Sequence, residues 1–142
     1  MRIKLLNERA KIPTRATEGS AGYDLYAANE FPVEIPIGET VSIPLGFATE
    51  LPINTYAAIY ARSGLSIRDG LRPANCVGII DPDYRGEWMV ALHNDSSVPK
   101  MITAGDRIAQ VLFGNIVFST FEPVDELPDT ARGNGGFGST GV

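Results

Sequence analysis

The C-terminal segment RGNGGFGSTG, residues 132–141, carries residue types suited to closing over a ligand. Its glycines let the main chain approach a ligand closely, and successive free N–H groups can form an anion-binding concavity. Arg132 offers a planar guanidinium for phosphate oxygens, and Phe137 offers a flat face on which a base can stack. The segment predicts a mobile arm that closes over an aromatic ring and phosphates. A disordered glycine-rich tail is the alternative, and composition alone favours it.

The sequence ARSGLS, residues 61–66, predicts a second site for an anion. A predicted strand ends at Arg62, and Ser63 is the expected N-cap of one short helical turn that Gly70 ends. Backbone N–H groups, a hydroxyl and a guanidinium meet there, as in many phosphate sites. An ordinary capped turn with an exposed arginine explains the same residues.

The turn that contains Asp81 is a candidate for proton transfer. Asp81 follows an apolar pair and precedes Pro82, which fixes the turn, so its carboxylate can serve as a general base. Tyr84 lies near enough to touch whatever Asp81 contacts. Capping of backbone N–H groups by Asp81 is the common alternative.

Two further polar side chains interrupt apolar strands. Gln110 is expected to share a strand face with Ile108 and to point into the protein or a pocket, where it meets either a backbone group or a ligand. Asp24 is expected to be half buried, and its sequence context favours a structural role. Asp106 and Arg107 are expected to pair with each other at a turn.

Composition limits the function classes. The formal charge of −5 argues against binding to nucleic-acid backbones, and no apolar run approaches a membrane span. The single cysteine, Cys76, cannot form an internal disulfide, which predicts a reducing, cytoplasmic setting. We expect Cys76 to be a small buried residue or a strand residue, and not a nucleophile. His93 is expected at a surface or interface, and no Cys/His cluster has zinc spacing.

The elements that position these residues read as many short strands. Prolines and glycines leave no room for several long helices, and alternation of period two recurs, with Val41 and Ile43 on one face. Residues 55–62 predict a central strand, residues 87–94 a strand burying Trp88, Val90 and Leu92, and residues 108–113 and 116–121 two more. We therefore predict an all-β domain, a sandwich, barrel or jelly roll, over residues 1–121. Residues 122–142 form an acidic linker and the glycine-rich arm.

Five motifs in this order resemble those of the trimeric dUTPases, the deoxyuridine triphosphate nucleotidohydrolases. They are AGYDLYA, ARSGLS, GIIDPDYRGEW, GDRIAQVLF and RGNGGFGSTG, and the resemblance runs from about residue 3 to the C-terminus. Ala61 stands where many relatives have proline or glycine, and Pro82 where others have serine or glutamate. Neither departure removes a functional side chain. The resemblance implies a jelly-roll-like β-barrel with one short helix and an extended arm, assembled as a homotrimer whose three active sites are shared between subunits.

The resemblance also implies the reaction and its residues. Asp81 would activate the attacking water and bond the deoxyribose 3′-hydroxyl, while Tyr84 would exclude a ribose. Asn75, with backbone groups near Cys76 and Ile79, would imitate a base-pairing partner of uracil. The implied substrate-binding residues are Arg62, Ser63, Gly64, Asn75, Ile79, Ile80, Tyr84, Met89, Gln110, Arg132, Phe137, Gly138 and Ser139.

Within that set, the resemblance gives the phosphates to residues 62–64, Gln110 and the arm, and it gives Mg²⁺, through water, to Asp24. A triphosphate carries roughly four negative charges, so an acidic protein needs a metal ion to hold it. The expected reaction is hydrolysis of dUTP to dUMP and pyrophosphate by water attack at the α-phosphorus. It would limit uracil incorporation into DNA and supply dUMP for thymidylate synthesis.

Two other functions compete. A dCTP deaminase has a similar fold and uses a glutamate at the base, for which Glu87 is the acid close by. A catalytically idle relative that senses nucleotides for other proteins is the second. Turnover of dUTP separates both from the hydrolase.

Overall fold

The chain folds into eleven short strands and one helix over residues 1–136, the part that this computed structural model describes. The strands are β1 (Arg2–Leu5), β2 (Tyr23–Tyr26), β3 (Val33–Ile35), β4 (Thr40–Pro44), β5 (Phe47–Glu50), β6 (Thr55–Tyr60), β7 (Leu71–Pro73), β8 (Gly78–Ile80), β9 (Met89–Asn94), β10 (Lys100–Ile102) and β11 (Arg107–Asn115). The helix α1 is Ser63–Asp69. The predicted all-β class with one short helix is confirmed.

The largest sheet carries most of the candidate residues. Its order is β2-β11-β6-β8, with each neighbouring pair antiparallel. β6 is an inner strand of this sheet and buries Ala57, Ala58 and Ile59, as its apolar sequence predicts. The ends of β6 and of its neighbours therefore fix where the candidate turns lie.

A second sheet closes the core from the other side. Its order is β4-β9-β7, and Trp88, Val90 and Leu92 are buried on one face, which confirms the alternation seen in the sequence. His93 lies on the opposite face, partly exposed, and its Nε2 is 3.2 Å from Asp95 Oδ1. The pairs β1-β5 and β3-β10 form two small sheets. Across residues 1–136 these sheets stay open, so the closed jelly-roll barrel and the trimer remain predictions.

The helix α1 ends as expected but begins differently. Gly70 is its C-cap in the left-handed region, with φ of 69°. Arg62, in extended conformation, occupies the N-cap, and the prediction of Ser63 there is wrong because Ser63 already lies in the first turn. No side-chain hydrogen bond caps this described helix start.

Two other local predictions are also wrong. Residues 116–121 form no strand in the described structure; Val117, Phe118 and Phe121 are exposed, and apolar character without a partner strand builds no sheet. Cys76 is exposed, not buried, and lies in a turn with φ of 60°. No helix among residues 1–136 is long and apolar enough to span a membrane.

Candidate functional site

One cavity gathers most of the residues expected to bind phosphates. It lies where the chain leaves β6 and enters α1, beside β2 and β11, which are paired in the same sheet. Its volume is about 360 Å³, within the usual range for ligand pockets. The lining residues are Ala16, Asp24, Arg62, Ser63, Gly64, Leu65, Arg68, Asp69, Arg107 and Gln110.

One carboxylate pairs with two of the three arginines that line this cavity. Asp24, whose side chain is 14% exposed, accepts a hydrogen bond from Arg62 Nε at 2.8 Å and another from Arg107 Nη1 at 3.1 Å. Arg62 Nη1 also donates to the backbone carbonyl of Arg107 at 3.3 Å. The expected half burial of Asp24 is confirmed, and its structural partner is this pair of guanidinium groups.

The side chain of Gln110 is fixed on the same wall. Its Nε2 donates to the backbone carbonyl of Ala61 at 2.8 Å, which satisfies the partly buried amide. A Cβ on Gly22 would lie 2.6 Å from Gln110 Oε1 and would displace this amide from its position. Gln110 does line a pocket, but the expected shared face with Ile108 is wrong because Ile108 turns into the core.

The helix adds a charge pair at the rim of the cavity. Arg68 donates to Asp69 through Nε at 3.2 Å and Nη2 at 2.8 Å. The hydrogen bond from Arg68 lowers the pKa of Asp69 from its ordinary value and raises the pKa of Arg68. Both groups therefore stay charged at neutral pH, and the rim gains no net charge from them.

The Asp81 turn lines a second, separate pocket. It is formed by Ile79, Ile80, Asp81, Tyr84, Glu87 and Met89, at the end of β8 and the start of β9. Its volume is about 240 Å³, smaller than most sites that enclose a ligand. Asp81 is exposed, and its carboxylate accepts no hydrogen bond from any residue in 1–136. The capping alternative for Asp81 is therefore wrong in the described structure.

Tyr84 is held over a glycine in this pocket. Its hydroxyl donates to the backbone carbonyl of Glu87 at 3.0 Å, and a Cβ on Gly86 would lie 2.6 Å from the ring carbon Cζ. Glu87 Oε1 in turn accepts from the backbone N–H of Gly46 at 3.0 Å. Tyr84 therefore lines the pocket while its hydroxyl is already bonded.

Asn75 and Cys76 form the tight turn between β7 and β8. The N–H of Val77 donates to the carbonyl of Asn75 at 2.6 Å around Cys76 at positive φ, which is a strained three-residue turn. A Cβ on Gly78 would lie 3.2 Å from Asn75 Nδ2, so the amide packs directly over that backbone. Strand β8 separates Asn75 from Asp81 along the chain, and Asn75 lines neither of the two pockets.

The two pockets lie toward opposite ends of β6. Ile80 pairs with Ala57, and the chain then continues to Asp81 away from Arg62. Arg62 lies five residues beyond Ala57 in extended conformation, roughly 17 Å at 3.3 Å per residue. Within one chain, the carboxylate of Asp81 therefore does not share a pocket with the guanidinium of Arg62.

The described part of the arm lines neither of the two pockets. The backbone N–H of Ile116 donates to Asn54, and residues 117–136 show hydrogen bonds only among residues 130–135. Arg132 Nε donates to the carbonyl of Gly135 at 2.9 Å and touches neither pocket. Phe137, Gly138 and Ser139 lie outside the described residues.

Comparison with known proteins identifies the family. The dUTPase family profile matches residues 8–141. The deoxyuridine 5′-triphosphate nucleotidohydrolase of Desulfitobacterium hafniense (strain DSM 10664 / DCB-2) is 49% identical over 133 residues, covering 93% of this chain and 88% of that protein. The Rickettsia akari (strain Hartford) enzyme of the same name is 47% identical, covering 98% and 94%. The chain belongs to the dUTPase family.

The fold agrees with solved dUTPases. A mutant dUTPase of Staphylococcus bacteriophage 80alpha, solved with dUpNHpp, superposes with a TM-score of 0.91 at 26% identity, covering 99% of this chain and 98% of that one. The chain is therefore an enzyme of the dUTPase family, and the resemblance read from its five motifs is confirmed.

Three residues in or beside the two pockets have contacts that the sequence does not predict. Gly86 packs against the Tyr84 ring, a contact that leaves no pattern in the sequence. The sequence indicates Glu87 only as a candidate proton-transfer acid, whereas its carboxylate accepts a hydrogen bond from the backbone N–H of Gly46. Arg107 was expected to pair with Asp106, but Asp106 instead accepts from Thr103 at 2.7 Å.

Proposed function

We propose that this protein hydrolyses dUTP to dUMP and pyrophosphate by water attack on the α-phosphorus. The observation that carries the proposal is that residues of the first four motifs line two pockets of different chemistry. Arg62, Ser63, Gly64 and Gln110 line the cationic cavity, while Asp81, Tyr84, Ile79 and Met89 line the other. The names of the relatives support dUTP as the substrate.

The Asp81 pocket is suited to the nucleoside. Ile79 and Met89 give apolar walls. Asn75, in the turn that precedes β8, lies outside the pocket lining and would supply an amide with both donor and acceptor atoms for the uracil edge. A pocket built from hydrogen bonds rejects a wrong base because the mismatch leaves buried groups unpaired. The ring of Tyr84 packs on the deoxyribose and fills the space of a 2′-hydroxyl. Asp81, with its carboxylate unengaged by residues 1–136, accepts the proton of the attacking water.

The cationic cavity is suited to the phosphates. Its guanidinium groups can bond phosphate oxygens in planar pairs, and the backbone and hydroxyl of Ser63 add donors. No cluster of three or more metal-binding side chains occurs in residues 1–136, which fits a Mg²⁺ carried by the substrate phosphates with few protein contacts. Asp24 would contact it through water. When bound, Mg²⁺ would neutralise phosphate charge and fix the phosphate geometry.

The separation of the pockets supports shared active sites. A nucleotide held at Asp81 of one subunit would have its phosphates in the Arg62 cavity of a neighbour, in a homotrimer. The C-terminal arm of a third subunit would bring Arg132 to the terminal phosphate and Phe137 over the uracil, with Gly138 and Ser139 closing on the phosphates. Closure would exclude water other than the nucleophile and align the chain.

Pyrophosphate release tests the proposed function. Purified protein is mixed with Mg²⁺ and dUTP, dCTP or UTP, and both pyrophosphate and ammonia are measured. We expect pyrophosphate from dUTP alone. Ammonia from dCTP would instead identify a deaminase, but Glu87 Oε1 is already bonded to the Gly46 N–H. Absence of turnover with tight dUTP binding would identify a sensor.

A further inference from the structure

Glu87 lines the Asp81 pocket, but its carboxylate bonds to a different part of the fold. Its Oε1 accepts a hydrogen bond at 3.0 Å from the backbone N–H of Gly46, in the turn between β4 and β5. The two positions are 41 residues apart in the sequence, and Gly46 lines neither of the two candidate pockets. The side chain of Glu87 therefore connects one wall of the Asp81 pocket to a turn outside it.

The turn that contains Gly46 is closely packed. Gly46 has a φ of 72°, and a Cβ at this position would lie 2.8 Å from the Cβ of Ala10 and 2.8 Å from that of Ala28. Its carbonyl accepts a hydrogen bond from the N–H of Leu6 at 2.7 Å. Close-packed groups have little room to move. Glu87 is therefore anchored to a part of the fold that is held on several sides.

The backbone of Glu87 in turn holds Tyr84. The Tyr84 hydroxyl donates to the Glu87 carbonyl at 3.0 Å, and this is the hydrogen bond that the hydroxyl makes within residues 1–136. The ring lies against Gly86, where a Cβ would be 2.6 Å from the ring carbon Cζ. A shift of the Glu87 backbone would therefore move the ring that is proposed to fill the space of a ribose 2′-hydroxyl.

The Asp81 carboxylate has a separate support. Asp81 follows Ile80, whose pairing with Ala57 fixes the end of β8 in the largest sheet. The N–H of Tyr84 donates to the Asp81 carbonyl at 3.2 Å, which closes the turn without Glu87. Loss of the bond between Glu87 and Gly46 should therefore displace the Tyr84 side chain more than the Asp81 carboxylate.

We infer that Glu87 is a positioning residue for sugar specificity, acting on Tyr84 through its hydrogen bond to Gly46. The inference rests on the proposed function, since it concerns how the Asp81 pocket distinguishes dUTP from UTP. A carboxylate that accepts from a backbone N–H forms a charge-assisted hydrogen bond, which is stronger than a neutral one. Glu87 thus helps to select the substrate without touching the reacting atoms.

The competing explanation is that Trp88 alone holds this segment and that Glu87 adds only stability. The N–H of Trp88 donates to the Phe47 carbonyl at 2.9 Å, and its carbonyl accepts from the N–H of Leu45 at 3.0 Å. These two bonds flank Gly46 in the same turn. If they suffice, removal of the Glu87 side chain leaves Tyr84 in place and substrate selection unchanged.

Substitutions at Glu87 and Tyr84 separate the two explanations. E87A removes the acceptor, E87Q keeps an acceptor oxygen without the charge, and Y84F removes the hydroxyl that Glu87 holds. E50A is the matched control, because Glu50 bonds Arg2 at 2.9 Å on the surface and lines neither candidate pocket. Pyrophosphate release gives kcat and KM for dUTP and UTP in each variant and in the double variant Y84F/E87A. NMR gives the hydrogen-exchange rate of the Gly46 amide without nucleotide.

We expect E87A to lower the ratio of kcat/KM for dUTP to that for UTP by about tenfold, the usual effect of losing one hydrogen bond to a charged group. Most of the change should lie in KM, with kcat for dUTP kept within about threefold, because Asp81 is supported separately. The Gly46 amide should exchange about tenfold faster in E87A. E87Q and E50A should keep the ratio within about threefold.

The double variant shows whether Glu87 acts through Tyr84. In the Y84F background, E87A should cause no further loss of selection, because the hydroxyl through which Glu87 acts is already absent. Thermal unfolding of each variant shows whether a lost activity reflects a lost fold.

Three results would overturn the inference: E87A that keeps the dUTP/UTP ratio of the unaltered protein, E87Q that loses as much selection as E87A, or a further fall in the ratio when E87A is added to Y84F. Failure of the proposed function is seen separately, since the unaltered protein would then release no pyrophosphate from dUTP. The exchange rate of the Gly46 amide would still show whether Glu87 makes the bond.

Discussion

Gly86→Ala is expected to damage substrate selection while leaving the protein stable. The added Cβ would lie 2.6 Å from Tyr84 Cζ, closer than real Cβ contacts allow, and 3.0 Å from Cε2. Tyr84 is 44% exposed, so its ring can swing toward solvent to relieve the clash. The hydroxyl then loses its hydrogen bond to the Glu87 carbonyl.

The expected change in stability is small because two terms oppose each other. A typical hydrogen bond contributes about 0.5–1.5 kcal/mol net. Replacing glycine by alanine restricts the unfolded chain and restores about 0.4–1 kcal/mol. The free energy of unfolding in urea should therefore differ from that of the unaltered protein by less than about 1 kcal/mol.

The expected change in selection is larger. With the ring displaced, the space for a 2′-hydroxyl opens and the packing on the deoxyribose is lost. The ratio of kcat/KM for dUTP to that for UTP should fall by about tenfold or more, as for other losses of steric selection. Pyrophosphate release from both nucleotides gives this ratio directly.

Gly19→Ala is the control, since a Cβ there meets nothing within 4 Å. It should keep both the stability and the dUTP/UTP ratio. The reasoning fails if Gly86→Ala keeps the ratio of the unaltered protein, or if it unfolds the protein as a core substitution would.

Four further changes have defined outcomes. Asp81→Asn should lower kcat by about 10²–10⁴ with dUTP binding kept, whereas Asp83→Asn should have little effect; equal effects in a pyrophosphate assay would refute the assignment of the base. Gln110→Ala should lower the free energy of unfolding in urea by about 1–3 kcal/mol, because it leaves a partly buried carbonyl unpaired. Trp88→Ala should cost about 3–5 kcal/mol and Trp88→Phe much less, since the Trp88 Nε1 has no partner in residues 1–136 to lose. Removing residues 122–142 should keep the thermal midpoint, because the described linker is exposed, and should abolish turnover, because the arm is proposed to close the active site. A fall in the midpoint would show that the linker stabilises the domain.

The strands with regular alternation were predictable from the sequence. The burial of Trp88, Val90 and Leu92 followed from period two, and β6 was recognised as an inner strand because both of its faces are apolar. Residues 116–121 have the same apolar character but form no strand, because a strand needs a hydrogen-bonded partner that one chain does not supply here.

The site was predictable in its residue types but not in its geometry. Asp24 and Gln110 stood out as polar residues in apolar strands, and both line the cationic cavity. The position of Arg107 depends on one extra residue in β11, which shows only in the register against β2. The Cys76 turn depends on a positive φ that no local sequence pattern announces for cysteine. These features arise from backbone geometry, which residue type constrains weakly.

The length of β6 has a consequence for mixtures of inactive subunits. Asp81 and Arg62 lie toward opposite ends of this strand. In the proposed assembly, a substitution at Asp81 and a substitution at Arg62 in the same subunit therefore affect two different active sites. Two inactive variants, one altered at Asp81 and the other at Arg62, should regain activity when they are denatured together and refolded. With random assortment of subunits, about a quarter of the active sites would combine an intact Asp81 with an intact Arg62. Such intragenic complementation would show that each catalytic site is formed at the interface between subunits.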